Sequence, residues 1–436
     1  MEIVSLIGIA AGLVLFIFCC AKGVNLVVSG FLGALVIIVT SGNPILEGIT
    51  STWAAGFSGF IKSYFLIFIL GALFGKTLSA SGGAKRIAIA VYHLCGKSKK
   101  NARFLAALFV PIMYAILSYV GVSGFVIVYT VMDIAIEVFR RNNLPWRMYC
   151  YGGATCLFTM MIPGNLQLVN IAAANICGTD ISSGAVMGIV SGGLCFLFEI
   201  LIIFWDVKRS EKRGEGFMDT GAAIAASLEG GIDDDVSKLP SLIQSIIPIL
   251  VMVITAAVLK WNIIICVALG ILLCFVAMPG RIKKPWEVIT AGVSSGFTPI
   301  LGVSAASAVG TCLKASLGYT VLTEWLHQIP SLYGGCIMII VLSFCTASST
   351  GGINAIGPDA FALFTEAGLS PATSHRLMMS SIFTSIPPHS SGPVNCMNVC
   401  KIRYGAGIWC YIRTNFIGCG AAFLITLLLV KFGVFV

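Results

Sequence analysis

Apolar runs, divided by short polar and basic interruptions, recur along the whole chain. Runs of about 18 residues or more are long enough to cross a bilayer core as helices. They are unbroken, without the alternation in segments of about ten residues that barrel strands would show. The pattern predicts an all-α polytopic membrane protein. Spans are expected over 3–21, 24–41 and 59–79, with an interfacial segment at 44–57 opened by Asn43-Pro44 and a short surface helix at 84–95. Residues 103–139 read as a re-entrant hairpin, 146–177 as an interrupted span and 183–206 as a further span. The hydrophilic stretch 207–239 contains KRSEKRGEG and Asp233, Asp234 and Asp235, and reads as a solvated cytoplasmic linker. The second half runs 240–259, 261–278, an interfacial piece at 284–292, 294–313, a hairpin at 333–366, an interrupted 373–400 and a last span at 406–430.

The halves resemble each other. At a shift of 235, GKTLSASGG (75–83) lies over GTCLKASLG (310–318). At a shift of 225, residues 117–170 match the second half at 11 of 54 positions, against roughly three or four by chance, which points to an internal duplication. With 103–139 as a hairpin, the first half crosses the membrane an odd number of times, so the second starts from the opposite side. The fold expected is two inverted repeats of five transmembrane helices, each with one re-entrant hairpin, moving as an elevator-type transporter. The division that follows is scaffold 1–102, transport unit 103–206, linker 207–239, scaffold 240–332 and transport unit 333–436.

Hairpins are preferred to full spans because the centres, SYVGVSGF (118–125) and FCTASSTGGIN (344–354), are small and polar. Non-helical backbone at membrane depth must be buried in protein or line a wet cavity. The alternative is an ordinary pair of helices with small residues at the seam. After each hairpin comes a break: MMIPGNLQLVN (160–170) in the first half and SIPPHSSGPVN (385–395) in the second. Proline removes a backbone donor and clashes with the preceding turn. Each span therefore splits, and the half-helix after the break points free amides into the cavity.

Charge and composition support this layout. The chain has 436 residues, 58% hydrophobic and 10% charged, where a soluble protein carries about 25% charged residues. The net charge of +9 lies in short basic clusters between apolar runs, such as Lys97, Lys99, Lys100 and Arg103, or Arg140, Arg141 and Arg147. That is the positive-inside pattern of cytoplasmic loops and not a nucleic-acid surface. It puts the linker inside the cell and both chain ends outside. The opening MEIVSL lacks the basic leader of a cleavable signal. Most of the sixteen cysteines lie within apolar runs and no CxxC occurs, so they read as small apolar filler. No cofactor and no metal is expected.

The hairpin tips and breaks supply the candidate substrate site: Gly121, Ser123, Gly124, Thr159, Gly164, Asn165, Ser348, Ser349, Thr350, Asn354, Thr384, His389, Ser390 and Ser391. Amides and hydroxyls of this kind suit a small hydroxylated carboxylate, without the cost of a buried cation. His389 could contact substrate or carry a coupling proton. His93, His327 and His375 fall near expected interfaces. An intramembrane acid is a functional candidate by default, so Asp133 and Asp359 join His389 as coupling candidates.

The runs SGFVIVYTVMDIAIEV (123–138), NNLPWRMYCYGGA (142–154) and FTMMIPGNLQLVNIAAANICGTDI (158–181) resemble the gluconate permease family of the ion transporter superfamily. The likeness covers most of the chain in order. It implies proton symport of gluconate-like sugar acids, hydroxybutyrate or related hydroxy acids, in a homodimer with a fixed scaffold and a mobile domain. Two departures stand out. The family's glutamate before GFV is replaced by Val122-Ser123, and the PPH break falls in the second half, at Pro387-Pro388-His389. No GxxxxGK[ST] nucleotide loop occurs, so coupling must come from an ion gradient. A sodium-coupled carboxylate transporter is the nearest alternative. An anion channel would use the breaks as a selectivity filter. A hydrolase built on Ser390 or Ser391 with His389 lacks an orienting acid nearby, so the chain does not read as an enzyme.

Overall fold

The computed structural model describes residues 1–434 except 97–100, 120–123, 166, 227–238, 258, 260 and 330. Among these, every regular element is a helix. The first group is α1 (Glu2–Ala21), α2 (Leu26–Thr40), α3 (Ile45–Ala80) and α4 (Gly83–Gly96). The hairpin arms α5 (Ala102–Tyr119) and α6 (Gly124–Arg141) follow, then α7 (Cys150–Met161), α8 (Leu168–Cys177) and α9 (Ala185–Lys212). A short helix, α10 (Phe217–Ala225), leads towards the second half. There the order recurs as α11 (Leu242–Ala257), α12 (Ile263–Val276), α13 (Pro285–Lys314), α14 (Leu317–His327), α15 (Ser331–Thr346), α16 (Ser349–Glu366), α17 (Pro371–Ser381), α18 (Ser391–Val399) and α19 (Tyr404–Lys431).

Local chemistry sets many boundaries. Asn25 caps α2 by accepting from the Val27 amide at 2.9 Å, and Asn262 does the same for α12 through Ile264, the side-chain capping that helix starts favour. The expected interfacial segments 44–57 and 284–292 are corrected: each is continuous with the span after it, giving single helices of 36 and 30 residues. Pro44 and Pro285 stand at the helix starts, where a missing N–H costs nothing. A π-helical stretch at Gly48–Trp53 keeps α3 helical through the expected boundary. At 1.5 Å per residue these helices are about 54 and 45 Å long, well beyond a bilayer core of about 30 Å.

Small residues let α2, α3 and α13 pack closely. A Cβ built on Gly30 of α2 would lie 2.9 Å from Ala305 of α13, and one on Gly296 would lie 2.9 Å from Ile69 of α3. This close backbone approach drives helix association in lipid, where apolar burial gives no net gain. Large apolar side chains such as Val14, Phe18, Leu201 and Leu272 point outward, as expected for helices solvated by lipid. Among the described residues, six helices are long and apolar enough to cross a membrane, and the chain is a multi-pass membrane protein.

The packing pattern repeats between halves. The α1–α2 contact has its counterpart in α11–α12, α2–α13 in α12–α3, α1–α14 in α11–α4, α8–α16 in α18–α6, and α7–α9 in α17–α19.

One boundary falls elsewhere than expected. The stretch from 207 is not wholly a solvated linker: α9 runs on to Lys212, and α10 buries Phe217 and Ile224. Charge fixes this piece, because Arg147 grips Asp206 and Glu215 with paired hydrogen bonds of 2.6–3.1 Å.

Candidate functional site: a cavity ringed by helix starts

Both proline stretches leave helical form. In the first, α7 stops at Met161, Ile162 is extended and Gly164 takes a left-handed φ of +77°, a conformation glycine adopts without strain. The amide of Asn165 caps the exposed carbonyl end of α7. Its Nδ2 donates to Met160 O at 2.9 Å and Ile162 O at 2.5 Å, while its Oδ1 accepts from the Gln167 amide. Asn165 thus satisfies the carbonyls a helix end leaves open. In the second break, α17 tightens into a 3₁₀ turn at Ile382–Thr384, and the chain crosses Pro387 and Pro388 before α18 begins at Ser391.

Hairpin and break are joined in each half, in the first through the end of arm α5. In the first, Gln167 Nε2 donates to the Ser118 carbonyl and hydroxyl, and Ser118 lies 2.6 Å from Thr159, which donates to Cys156 O. In the second, Ala347 turns the hairpin with φ +51°, Ser348 caps α16 by accepting from the Gly351 amide, and Ser349 meets Ser385 at 2.6 Å. Ala347's positive φ is a strained conformation for a residue with a Cβ, of the kind found at ligand-binding tips.

These parts enclose a cavity of about 360 Å³. Four helix starts line it: Gly124 of α6, Leu168 of α8, Ser349 of α16 and Ser391 of α18. The first amides of a helix have no acceptor within it, and the helix dipole adds a partial positive charge there. The described lining carries no charged side chain. Tyr64, Tyr114, Phe125, Met160 and Tyr411 supply apolar and aromatic walls.

Of the residues expected from sequence, the cavity gathers Gly124, Ser348, Ser349, Thr350, Ser390 and Ser391. Gly121 and Ser123 lie outside the described residues. The others stand off the lining. Thr159 and Thr384 spend their hydroxyls on backbone carbonyls, Gly164 and Asn165 shape the first break, and Asn354 is exposed. His389 is 3% exposed with its ring edge-on to Phe344. That ring approaches the backbone of Phe344 and Cys345, but neither nitrogen reaches hydrogen-bond geometry. Asp133 faces Lys76 and Ser79 of α3. Asp359 is half-buried on α16, beyond the lining.

Sequence reasoning missed Gln167, although it sits inside the first break, and Ser385 beside the second. It also misread His375 and missed Arg376. Both are buried, and they reach from α17 across to the first break. His375 Nε2 lies 3.0 Å from Asn170 Oδ1, and Arg376 donates to the Ser183 and Ile181 carbonyls at 2.6 and 2.5 Å. A buried cation is therefore present after all, held by backbone oxygens behind the cavity.

A multi-pass helical chain whose broken helices surround a small central cavity has the make-up of a membrane transporter. The chain belongs to the GntP family of permeases: the family model described as GntP family permease matches residues 3–279. It is 23% identical over 453 residues to the uncharacterized transporter YxjC of Bacillus subtilis (strain 168), covering 92% of this chain and 93% of that one. It also aligns with the crystal structure of the Alcanivorax borkumensis YdaH transporter over 97% and 98% of the two chains, at 14% identity and a TM-score of 0.40. A likeness of that size fixes neither topology nor site.

Proposed function

We propose that the protein is a proton-coupled symporter that imports a small organic anion, gluconate or another hydroxy acid, by an elevator movement. The observation that carries this reading is the convergence of four helix starts on one cavity with no charged side chain among its described lining residues. Amides at helix starts attract anions, and the Ser348, Ser349, Thr350, Ser390 and Ser391 hydroxyls can pair with substrate hydroxyls. The volume sits at the small end of the roughly 300–1,000 Å³ common for small-molecule sites.

The repeated packing pairs support two inverted repeats, and an asymmetry within them supports movement. The hairpin helix α6 packs on α3 and α4, whereas among the described residues its counterpart α16 makes no comparable contact with α13 and α14. Exchanging these contacts between halves would open the site to the other side. The test is uptake into proteoliposomes under imposed pH or sodium gradients, offering gluconate, hydroxybutyrate, D-serine and citrate. Uptake of a hydroxy acid that follows the pH gradient fits the proposal. Uptake that needs sodium and ignores pH replaces the coupling ion, and flux that never saturates points to a channel.

A further inference from the structure

We propose that Glu199 binds the proton that travels with the substrate. The assignment rests on the proton-coupled reading above and names the proton's seat. Glu199 lies on α9 and is wholly buried, at 0% exposure. Its Oε1 is 2.8 Å from Thr155 Oγ1, its Oε2 has no hydrogen-bond partner, and it makes no ion pair among the described residues.

The hydrogen count points to the neutral acid. Thr155 Oγ1 also lies 2.8 Å from the Tyr151 carbonyl. A hydroxyl has one hydrogen, and a carbonyl can only accept. With that hydrogen given to Tyr151, the contact with Glu199 is a hydrogen bond only when the carboxyl donates. The protonated form satisfies both contacts and leaves no bare charge at Oε2. An ionised form would forfeit one contact and bury an unpaired anionic oxygen, which a membrane interior strongly disfavours.

The surroundings isolate the group. Cys156 of α7 and Cys419 of α19 face it, and Cys195 lies one turn back on α9. Two turns on, Asp206 engages Arg147, Arg413 and Tyr151. Three turns back, Arg376 of α17 lies against Gly188. Arg103 of α5 donates to the Asn143 and Glu215 carbonyls. The link to substrate is short, because Thr155 is followed directly by Cys156, which lines the cavity. When the site opens inward, the carboxyl releases H⁺ to water and becomes a carboxylate, and it takes up H⁺ again when the site faces outward. One proton thus accompanies one anion, so a monovalent acid moves without net charge.

The experiment uses the full chain in proteoliposomes containing a pH-sensitive dye, with the best substrate of the uptake screen. The wild type should show proton influx with substrate and accumulation approaching about ten-fold per pH unit, the limit for one-to-one symport, with no response to membrane potential. Glu199→Gln, which mimics the protonated acid, should lose the proton influx and fall to a ratio of about one, and Glu199→Asp should restore part of it. Undiminished proton influx or accumulation in Glu199→Gln overturns the assignment. Wild-type uptake without proton influx removes the proton-coupled reading itself, and is read without any variant. Should Glu199→Gln carry no flux, infrared difference spectra with and without substrate decide. A protonated-carboxyl band in the wild type, absent from the variant, supports Glu199, and no such band overturns it.

Discussion

Placing a negative charge at one helix start tests whether the cavity holds an anion. Ser391 is the first residue of α18 and lines the cavity. Aspartate is favoured in the first turn of a helix, so Ser391→Asp should fold. Treated as a sphere, the cavity of about 360 Å³ has a radius of about 4.4 Å. A wall carboxylate and a central anion then repel by about 4 kcal/mol at an effective dielectric of about 20, and by about 1 kcal/mol at about 80, that of water. Affinity should fall by between about 5-fold and about 600-fold. Ser391→Asn has nearly the same size without the charge and should stay within a few-fold of wild type. Titration calorimetry on purified protein reads both constants. Equal affinity in the Asp and Asn variants, with both folded, would refute an anion at this position.

Three further outcomes follow from the geometry. Arg376→Ala leaves the Ser183 carbonyl without its donor, at about 1–3 kcal/mol, while Ile181 O keeps the Gly164 amide and Asn170 Nδ2; a fall in melting temperature in detergent is expected, only partly restored by lysine, which lacks the planar fork. Gln167→Ala cuts the link from the first break to Ser118; substrate affinity should drop roughly five-fold, for about 1 kcal/mol of lost hydrogen bonding, and an unchanged binding isotherm would contradict this. Gly392 lines the cavity with open space where a Cβ would point, so Gly392→Leu should block uptake while keeping the wild-type melting temperature.

The sequence carried much of this plan where the signal was local. Pro163, Gly164, Pro387 and Pro388 announced both breaks, and the small residues around Ser348 announced the second tip. What escaped depends on distant partners. Arg376 and His375 sit in an ordinary helical stretch, and their role appears only when Asn170 and Ile181, about 200 positions earlier, are beside them. Glu199 gave no local sign of its contact with Thr155, 44 residues away. Asn165 was expected to contact substrate, but its hydrogen bonds turn inward to the end of α7. The tyrosines of the wall come from α3, α5 and α19, and no short motif could join them. At 44–57 Pro44 opens a helix as read, at a start where it is tolerated, but the segment runs on into the following span instead of ending before 59.

The most direct test of the central claim is a map of the protein determined with saturating transported acid. Density should fill the cavity, with the carboxylate against the first amides of α8, α16 and α18. An empty cavity at saturation, or the acid bound elsewhere, would contradict the account.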